Sequence, residues 1–354
     1  MSQGGRPRSG VSIAKPLIES GGVGLGASLR NYWHPVAKAD DISDRPTSVQ
    51  LLDEKVVLFR TDSGICALKD LCIHRGTALS LGWVEDGKIT CGYHGWQYDP
   101  SGRCVRIPSL PEGSAIPPKA RTRAFRAEEA HGLVWVCLDE PVSDVPPFPE
   151  GLWDEERYHT ILVYDGVWST SAGRAIENFL DVSHFAWVHE GLLGTRDNTV
   201  TPRYEVDVDG SDLKYTIWPP LPTELDEAED QGASNHSYYA YTLHLPFVAH
   251  IEGGWDDRPD DLDYISMIAS PVSSKATRVF LWRGRNHSLD ESDEELIEFQ
   301  TFLLGQDQAI VESQRPEEIP LDLRDELHLK VPDAGAIFYR RLLRSLDHEG
   351  SYMP

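Results

Sequence analysis

The sequence predicts an α+β protein in two parts: an all-β domain over residues 29–148, then a domain of antiparallel sheet covered by helices over residues 149–354. Three observations carry this. From Tyr32 the chain runs as short apolar stretches cut by turn residues, the pattern of a small β domain. A Pro-dense stretch, EPVSDVPPFPEG (residues 140–151), interrupts it and makes a boundary. Beyond it, strands are followed by long helical segments, which suits helices packed on an antiparallel sheet.

In chain order, residues 1–28 read as a flexible tail. Its GGVGLGAS stretch has glycines at alternate positions, but no strand precedes it and the full dinucleotide-binding spacing is missing, so it reads as linker. VQLLDEKVVLFR predicts two strands about a polar turn at Asp53–Glu54, and TDSG turns the chain into the strand ICALK. GKITC, WQYDPSGRC and HGLVWVCL follow as further short strands. In the second part GRAIENFLDVSHFAWVHEG reads as one helix, and SYYAYTLHLPFVAHIEG and DYISMIASPVSS as strands. The acidic stretch at 221–235 has no periodicity and reads as an exposed loop. A long helix opens at the capping box Ser292-x-x-Glu295 and continues through LIEFQTFLLGQDQAIVESQ.

Composition narrows the function classes. With 57 acidic against 33 basic residues the net charge is −24, which argues against a nucleic-acid or anionic membrane surface. No run approaches the roughly 18 apolar residues of a spanning helix. MSQGGRPRSG has no apolar core, so it does not read as a signal peptide. Five cysteines without a secretion signal point to a reducing cytoplasm and to metal use rather than disulfides.

Two of those cysteines begin the pairs Cys72-Ile-His74 and Cys91-Gly-Tyr-His94. Each pair sits on a turn between strands, so two loops can close on one centre. A thiolate and an imidazole from each loop suit a [2Fe–2S] cluster with two Cys on one iron and two His on the other. A structural zinc site also takes mixed ligands, but its usual order is a Cys pair followed by a His pair. Cys66, Cys104 and Cys137 lie in apolar strand contexts and read as small core residues.

A second constellation, in ENFLDVSHFAWVHEG, offers Asn178, Asp181, His184 and His189. Asn178, Asp181 and His184 are three apart and would share a helix face. The two histidines, five apart, would diverge by about 140° on an ideal helix unless it ends or bulges between them. On the C-terminal helix Asp307 lies on an apolar stripe with Leu296, Phe299, Leu303 and Ile310. A carboxylate there is costly unless paired or bound to metal. It would complete a 2-His-1-carboxylate iron(II) triad, or else snorkel at the stripe edge or pair with an arginine.

CIHRG, CGYHGW and RNYWHPVA (residues 30–37) resemble the Rieske domain of the Rieske non-haem iron oxygenases, and N-x-x-D-x-x-H-x-x-x-x-H with a distant helical carboxylate resembles their catalytic domain. The resemblance covers about residues 29–345. It implies that Cys72, His74, Cys91 and His94 hold a Rieske [2Fe–2S] cluster, and that His184, His189 and Asp307 hold mononuclear Fe(II) with Asn178 beside it. It implies that Asp181 bridges His184 to a cluster histidine, expected to be His94, of a neighbouring subunit in a homotrimer. O2 would be co-substrate. The chain has no flavin or nicotinamide fingerprint and no plant-type ferredoxin run, so NAD(P)H electrons would arrive through a separate ferredoxin or flavin reductase. Arg75, Lys88, Arg103 and Arg106 form a basic patch around the cluster loops that suits an acidic partner or a solvated surface equally.

The compact length, the H-x₄-H spacing and the LPF strand resemble the monooxygenase and O-demethylase branch, such as the vanillate and dicamba demethylases. The expected reaction is hydroxylation or oxidative demethylation of a small aromatic or alicyclic compound, with cis-dihydroxylation or simple electron transfer as alternatives. Tyr241, His244, Phe247 and His250, on an aromatic strand, are candidate substrate contacts, although core packing explains Phe247 as well.

Overall fold

A computed structural model describes residues 28–153, 156–218, 236–290 and 292–346. The tail and the acidic stretch at 221–235 lie outside the described residues. The first part contains β1 (His34–Lys38), β2 (Thr47–Leu51), β3 (Glu54–Thr61), β4 (Gly64–Lys69), β5 (Trp83–Glu85), β6 (Lys88–Thr90), β7 (Gln97–Tyr98), β8 (Cys104–Arg106), β9 (Ala124–Ala130) and β10 (Leu133–Cys137). They form a six-stranded sheet in the order β1-β10-β9-β4-β3-β2 and a four-stranded sheet β5-β6-β7-β8. The β2–β3 turn falls at Leu52–Asp53, one residue earlier than expected, with both residues at positive φ (50° and 62°). Two such residues are what a tight hairpin needs to match strand twist.

The second part contains β11 (His159–Trp168), α1 (Ala172–Phe179), α2 (Phe185–Val188), β12 (Asp207–Asp209), β13 (Asp212–Ile217), β14 (Tyr238–His244), β15 (Val248–Gly254), β16 (Leu262–Ser273), β17 (Ala276–Arg285), α3 (Asp293–Val311) and α4 (Ala334–Leu346). Its seven strands form one antiparallel sheet, β11-β17-β16-β15-β14-β13-β12. The stretch read as one strand from Ser237 is the hairpin β14–β15, turning at Leu245–Phe247.

Strand alternation gives this sheet two different faces. On one, Val248, Ile268 and Phe280 are buried against Trp33, Leu133 and Trp135 of the first part. The amides of Leu52 and Asp53 donate to the carbonyls of Pro271 and Val272 (2.8 and 3.0 Å), fastening the two parts through backbone. The other face carries α1 and α3.

α1 is capped by Ser171, whose hydroxyl accepts from Arg174 N (3.3 Å). Buried Arg174 and Arg340 bind Glu177 and Glu326 and clamp α1 to α4; Arg340 Nη2 lies 2.6 Å from both Glu177 Oε2 and Glu326 Oε2. α3 begins at the expected cap, with Ser292 Oγ accepting from Glu295 N (3.3 Å). Its buried face is Leu296, Gln300, Leu303, Leu304, Asp307 and Val311. Ile310, placed on the stripe from sequence, is 49% exposed. At about 100° per residue the stripe centres near Gln300 and Asp307, which leaves Ile310 at its edge.

Candidate functional site

The Cys72 and Cys91 loops repeat one backbone design. Cys72 N donates to Thr77 O (2.7 Å) and Gly76 N to Cys72 O (2.9 Å); Cys91 N donates to Trp96 O (2.8 Å) and Gly95 N to Cys91 O (2.9 Å). Gly76 and Gly95 take φ +74° and +70°, a conformation that favours glycine. The loops thus present two buried sulfurs and two outward imidazoles, with His74 Nδ1 3.2 Å from His94 Nδ1. The Trp96 ring stacks on His74 at 4.6 Å. Burial, reinforced by the neighbouring Cys91, pushes the Cys72 thiol pKa up, and Tyr98 Oη sits 3.2 Å from its sulfur. Two buried sulfurs beside paired imidazole nitrogens fit an iron–sulfur cluster that supplies positive charge.

In the second part the single helix expected over residues 173–191 is interrupted. α1 stops at Phe179, and α2 is one turn flanked by His184 and His189. The cause is local: the Asp181 carboxylate accepts from the amides of Ser183 (3.1 Å) and His184 (3.0 Å), capturing donors that a continuous helix would use. Asn178, Asp181 and His184 therefore do not share one helix face. The interruption turns both imidazoles inward, with ring centroids 5.2 Å apart.

Their Nε2 atoms lie 3.4 Å (His184) and 3.0 Å (His189) from Asp307 Oδ1, and all three ligand atoms fall within 4.8 Å of one another. Each Nδ1 is engaged from behind: His184 by Asp181 Oδ2 (2.9 Å) and His189 by Gln306 Oε1 (2.8 Å). Both partners accept hydrogen bonds, so Nδ1 carries the proton and the Nε2 lone pairs face the carboxylate. Asp307 Oδ1 is buried without a hydrogen bond. Burial lowers the His189 pKa, yet the Asp307 carboxylate outweighs it and the net shift is upward, the mark of a site that attracts a cation. Two imidazole nitrogens and a carboxylate oxygen converging on one point fit a divalent metal with positions left for other ligands.

Beside this trio lies a cavity that is partly open to the surface. Its apolar wall includes Phe179, Phe185, Tyr239, Ile251, Ile265 and Leu281; Asn178, Arg283 and Gln300 are its polar members besides the trio. The four expected substrate contacts are not in this wall. His244 and His250 point to the opposite sheet face, because strand parity sets them against Tyr239 and Ile251. There His244 Nδ1 meets Asp212 Oδ1 (2.8 Å) and His250 Nδ1 meets Ser266 Oγ (2.8 Å). Tyr241 has the right parity, but its ring stacks on Tyr215 at 4.6 Å and is buried. Phe247 sits in the hairpin turn, 6.0 Å from the His34 ring. Gln300, Gln306 and Arg283 were missed from the sequence. A glutamine four residues after Leu296 and seven before Asp307 was a visible signal for the first.

Comparison with known proteins agrees with both halves. Residues 32–125 match the Rieske [2Fe-2S] domain model, and residues 168–349 match the vanillate O-demethylase oxygenase C-terminal domain model. Methylxanthine N1-demethylase NdmA of Pseudomonas putida is 33% identical over 329 residues, spanning 90% of this chain and 89% of the relative. A vanillate O-demethylase oxygenase subunit of a Pseudomonas species is 25% identical, spanning 89% of this chain and 93% of its own. The structure of NdmA with caffeine superposes with a TM-score of 0.78 at 31% identity, covering 89% of this chain and 90% of the other. Dicamba monooxygenase bound to 3,6-dichlorosalicylic acid shares the fold (TM-score 0.73, 22% identity, 91% and 99% covered). Among the described residues no helix is long and apolar enough to cross a membrane. The chain belongs to the Rieske oxygenase family, as an iron–sulfur oxygenase component of the demethylase and monooxygenase branch.

Proposed function

We propose that the chain is the terminal oxygenase of a multicomponent system that hydroxylates or oxidatively demethylates a small aromatic or alicyclic compound, using O2 and electrons from a separate reductase. Residues 29–148 are the cluster-bearing domain in this reading and 149–354 the catalytic one. The observation that carries it is the convergence of His184, His189 and Asp307 at the edge of an apolar cavity.

Cys72, His74, Cys91 and His94 would hold the [2Fe–2S] cluster, and His184, His189 and Asp307 the mononuclear iron. When bound, the two centres supply single-electron transfer and reduction of O2, with one oxygen atom going to substrate and the other to water. The chain's own residues do the rest. Asp181 and Gln306 fix the proton on each Nδ1 and aim both Nε2 atoms at one point. The apolar wall excludes water and holds a flat ring against that point. The Asp181 side chain keeps 29% exposure, enough to accept a further hydrogen bond from His94 of a neighbouring subunit in a trimer. Exposed Arg75, Arg103 and Arg106 around the cluster loops suit an acidic ferredoxin or flavin reductase.

EPR with iron and sulfide analysis of anaerobically purified protein tests this. About three irons and two sulfides per chain, with a Rieske-type signal after dithionite, are expected. About two irons and two sulfides after anaerobic Fe(II) reconstitution, with no O2 uptake on any ring compound, would leave an electron carrier.

A further inference from the structure

The two imidazoles that face Asp307 are backed unequally. Behind His184 stands a carboxylate, Asp181, whose Oδ2 lies 2.9 Å from Nδ1. Behind His189 stands an amide, Gln306, whose Oε1 lies 2.8 Å from Nδ1. Asp307 Oδ1 is 3.0 Å from His189 Nε2, so successive residues of α3 grip this one ring from both ends. The His189 side chain is 2% exposed, against 15% for His184, which leaves little room for water to replace Gln306 as the acceptor.

The difference is one of charge and not of shape. Glutamate and glutamine have the same length and branching, and an oxygen of either reaches Nδ1 from position 306. A carboxylate draws on the Nδ1 proton more strongly than an amide does, and this makes the opposite nitrogen a better donor to a metal. His184 therefore meets a metal as the stronger donor and His189 as the weaker. Among the ligands and the groups behind them, Asp307 and Asp181 match the double charge of iron(II), and Gln306 adds none. A glutamate at 306 would put a third negative charge directly behind the most buried of the three ligands. It would attract a dication more than the single proton that competes for the same nitrogen, so the net effect is tighter metal binding.

Resting on the oxygenase reading above, we propose that Gln306 is a positioning residue that keeps His189 the weaker imidazole ligand and holds the iron site neutral. Iron affinity and the ferric–ferrous midpoint are then set by the absence of charge at position 306.

The test compares Gln306→Glu and Gln306→Leu with the parent, all cluster-loaded and stripped of mononuclear iron by anaerobic dialysis against a chelator. Fe(II) is titrated back in competition with a chromophoric chelator, and folds are checked by circular dichroism. Gln306→Glu is expected to lower the Fe(II) dissociation constant about tenfold. Gln306→Leu, which leaves a buried N–H without an acceptor, is expected to raise it roughly fivefold. A redox titration followed by the high-spin ferric EPR signal should give a lower midpoint in Gln306→Glu, because ferric iron gains more from the added charge than ferrous. A merely structural glutamine would be damaged by both substitutions. Weaker binding in both variants, an affinity of Gln306→Glu within twofold of the parent's, an unchanged midpoint, or no Fe(II) binding by the parent would overturn the proposal. O2 uptake with ring compounds is followed separately. The expected shifts in affinity and midpoint without O2 uptake would leave the role of Gln306 standing and remove the oxygenase reading.

Discussion

Asp181→Asn is the substitution whose outcome says most about this molecule. The carboxylate accepts three hydrogen bonds with two oxygens: Oδ2 takes His184 Nδ1–H (2.9 Å) and His184 N–H (3.0 Å), and Oδ1 takes Ser183 N–H (3.1 Å). Asparagine keeps the shape but offers one acceptor oxygen. If that oxygen stays on His184, the amide NH2 faces the Ser183 N–H, donor against donor. Hydrogen bonds to a charged group contribute about 1.5–3 kcal/mol and neutral ones about 0.5–1.5, so His184 loses about 1–2 kcal/mol of orientation and basicity. At about 1.4 kcal/mol per factor of ten, this is roughly a tenfold weaker grip on iron, within the range seen for outer-shell partners of metal ligands. Anaerobic Fe(II) titration of the iron-depleted site should show that rise in dissociation constant. At saturating iron both centres should be filled, yet reoxidation of the reduced cluster by O2 and substrate, followed by its visible absorbance, should be slowed. Iron affinity and single-turnover rate both within twofold of the parent would refute the role assigned to Asp181.

Three further outcomes are expected. Tyr98→Phe removes the hydroxyl 3.2 Å from Cys72 Sγ, and losing about 1 kcal/mol of hydrogen bonding to the reduced cluster should lower its midpoint by about 40 mV in protein-film voltammetry; an unchanged midpoint would show that the hydroxyl does not bond the sulfur. Asp263→Asn should cost about 3–5 kcal/mol in urea unfolding at neutral pH, because it leaves Arg283 buried and unpaired. Since the Asp263 pKa is depressed on folding, its contribution is complete above the unfolded value near 3.9 and is lost only as pH falls further, through the folded value; a parent–variant gap that is already closed at pH 5 would contradict this. Arg340→Met, which strips Glu177 and Glu326 of a guanidinium that is 2% exposed, should also cost about 3–5 kcal/mol; a urea midpoint equal to the parent's would show that the α1–α4 clamp does not contribute to stability.

What the sequence by itself determined is local. Each cluster loop is set by a Cys and a His two or three residues apart and a glycine four residues after the Cys, and the hydrogen bonds of residues 72–77 and 91–96 close within those spans. The α3 start was legible because Ser292 and Glu295 cap it without help from elsewhere, and the stripe bearing Asp307 follows from a period of 3.6 residues. The tertiary structure decided what depends on distant partners. The helix break at Asp181 could be required from His184 and His189 but not located, because a side-chain capture of two amides competes with helix propensity over only a few residues. Which parity of β14 and β15 faces the cavity was not legible either: Tyr239 and Ile251 line it while His244 and His250 point away, and a one-residue change of register would exchange them. Arg283 was hidden for the same reason. Its strand places Leu281 and then Arg283 on the cavity wall, and only the pairing of β17 with β16 brings its guanidinium beside Asp263. Periods of two and 3.6 residues say which side chains share a face; only long-range packing says what that face meets.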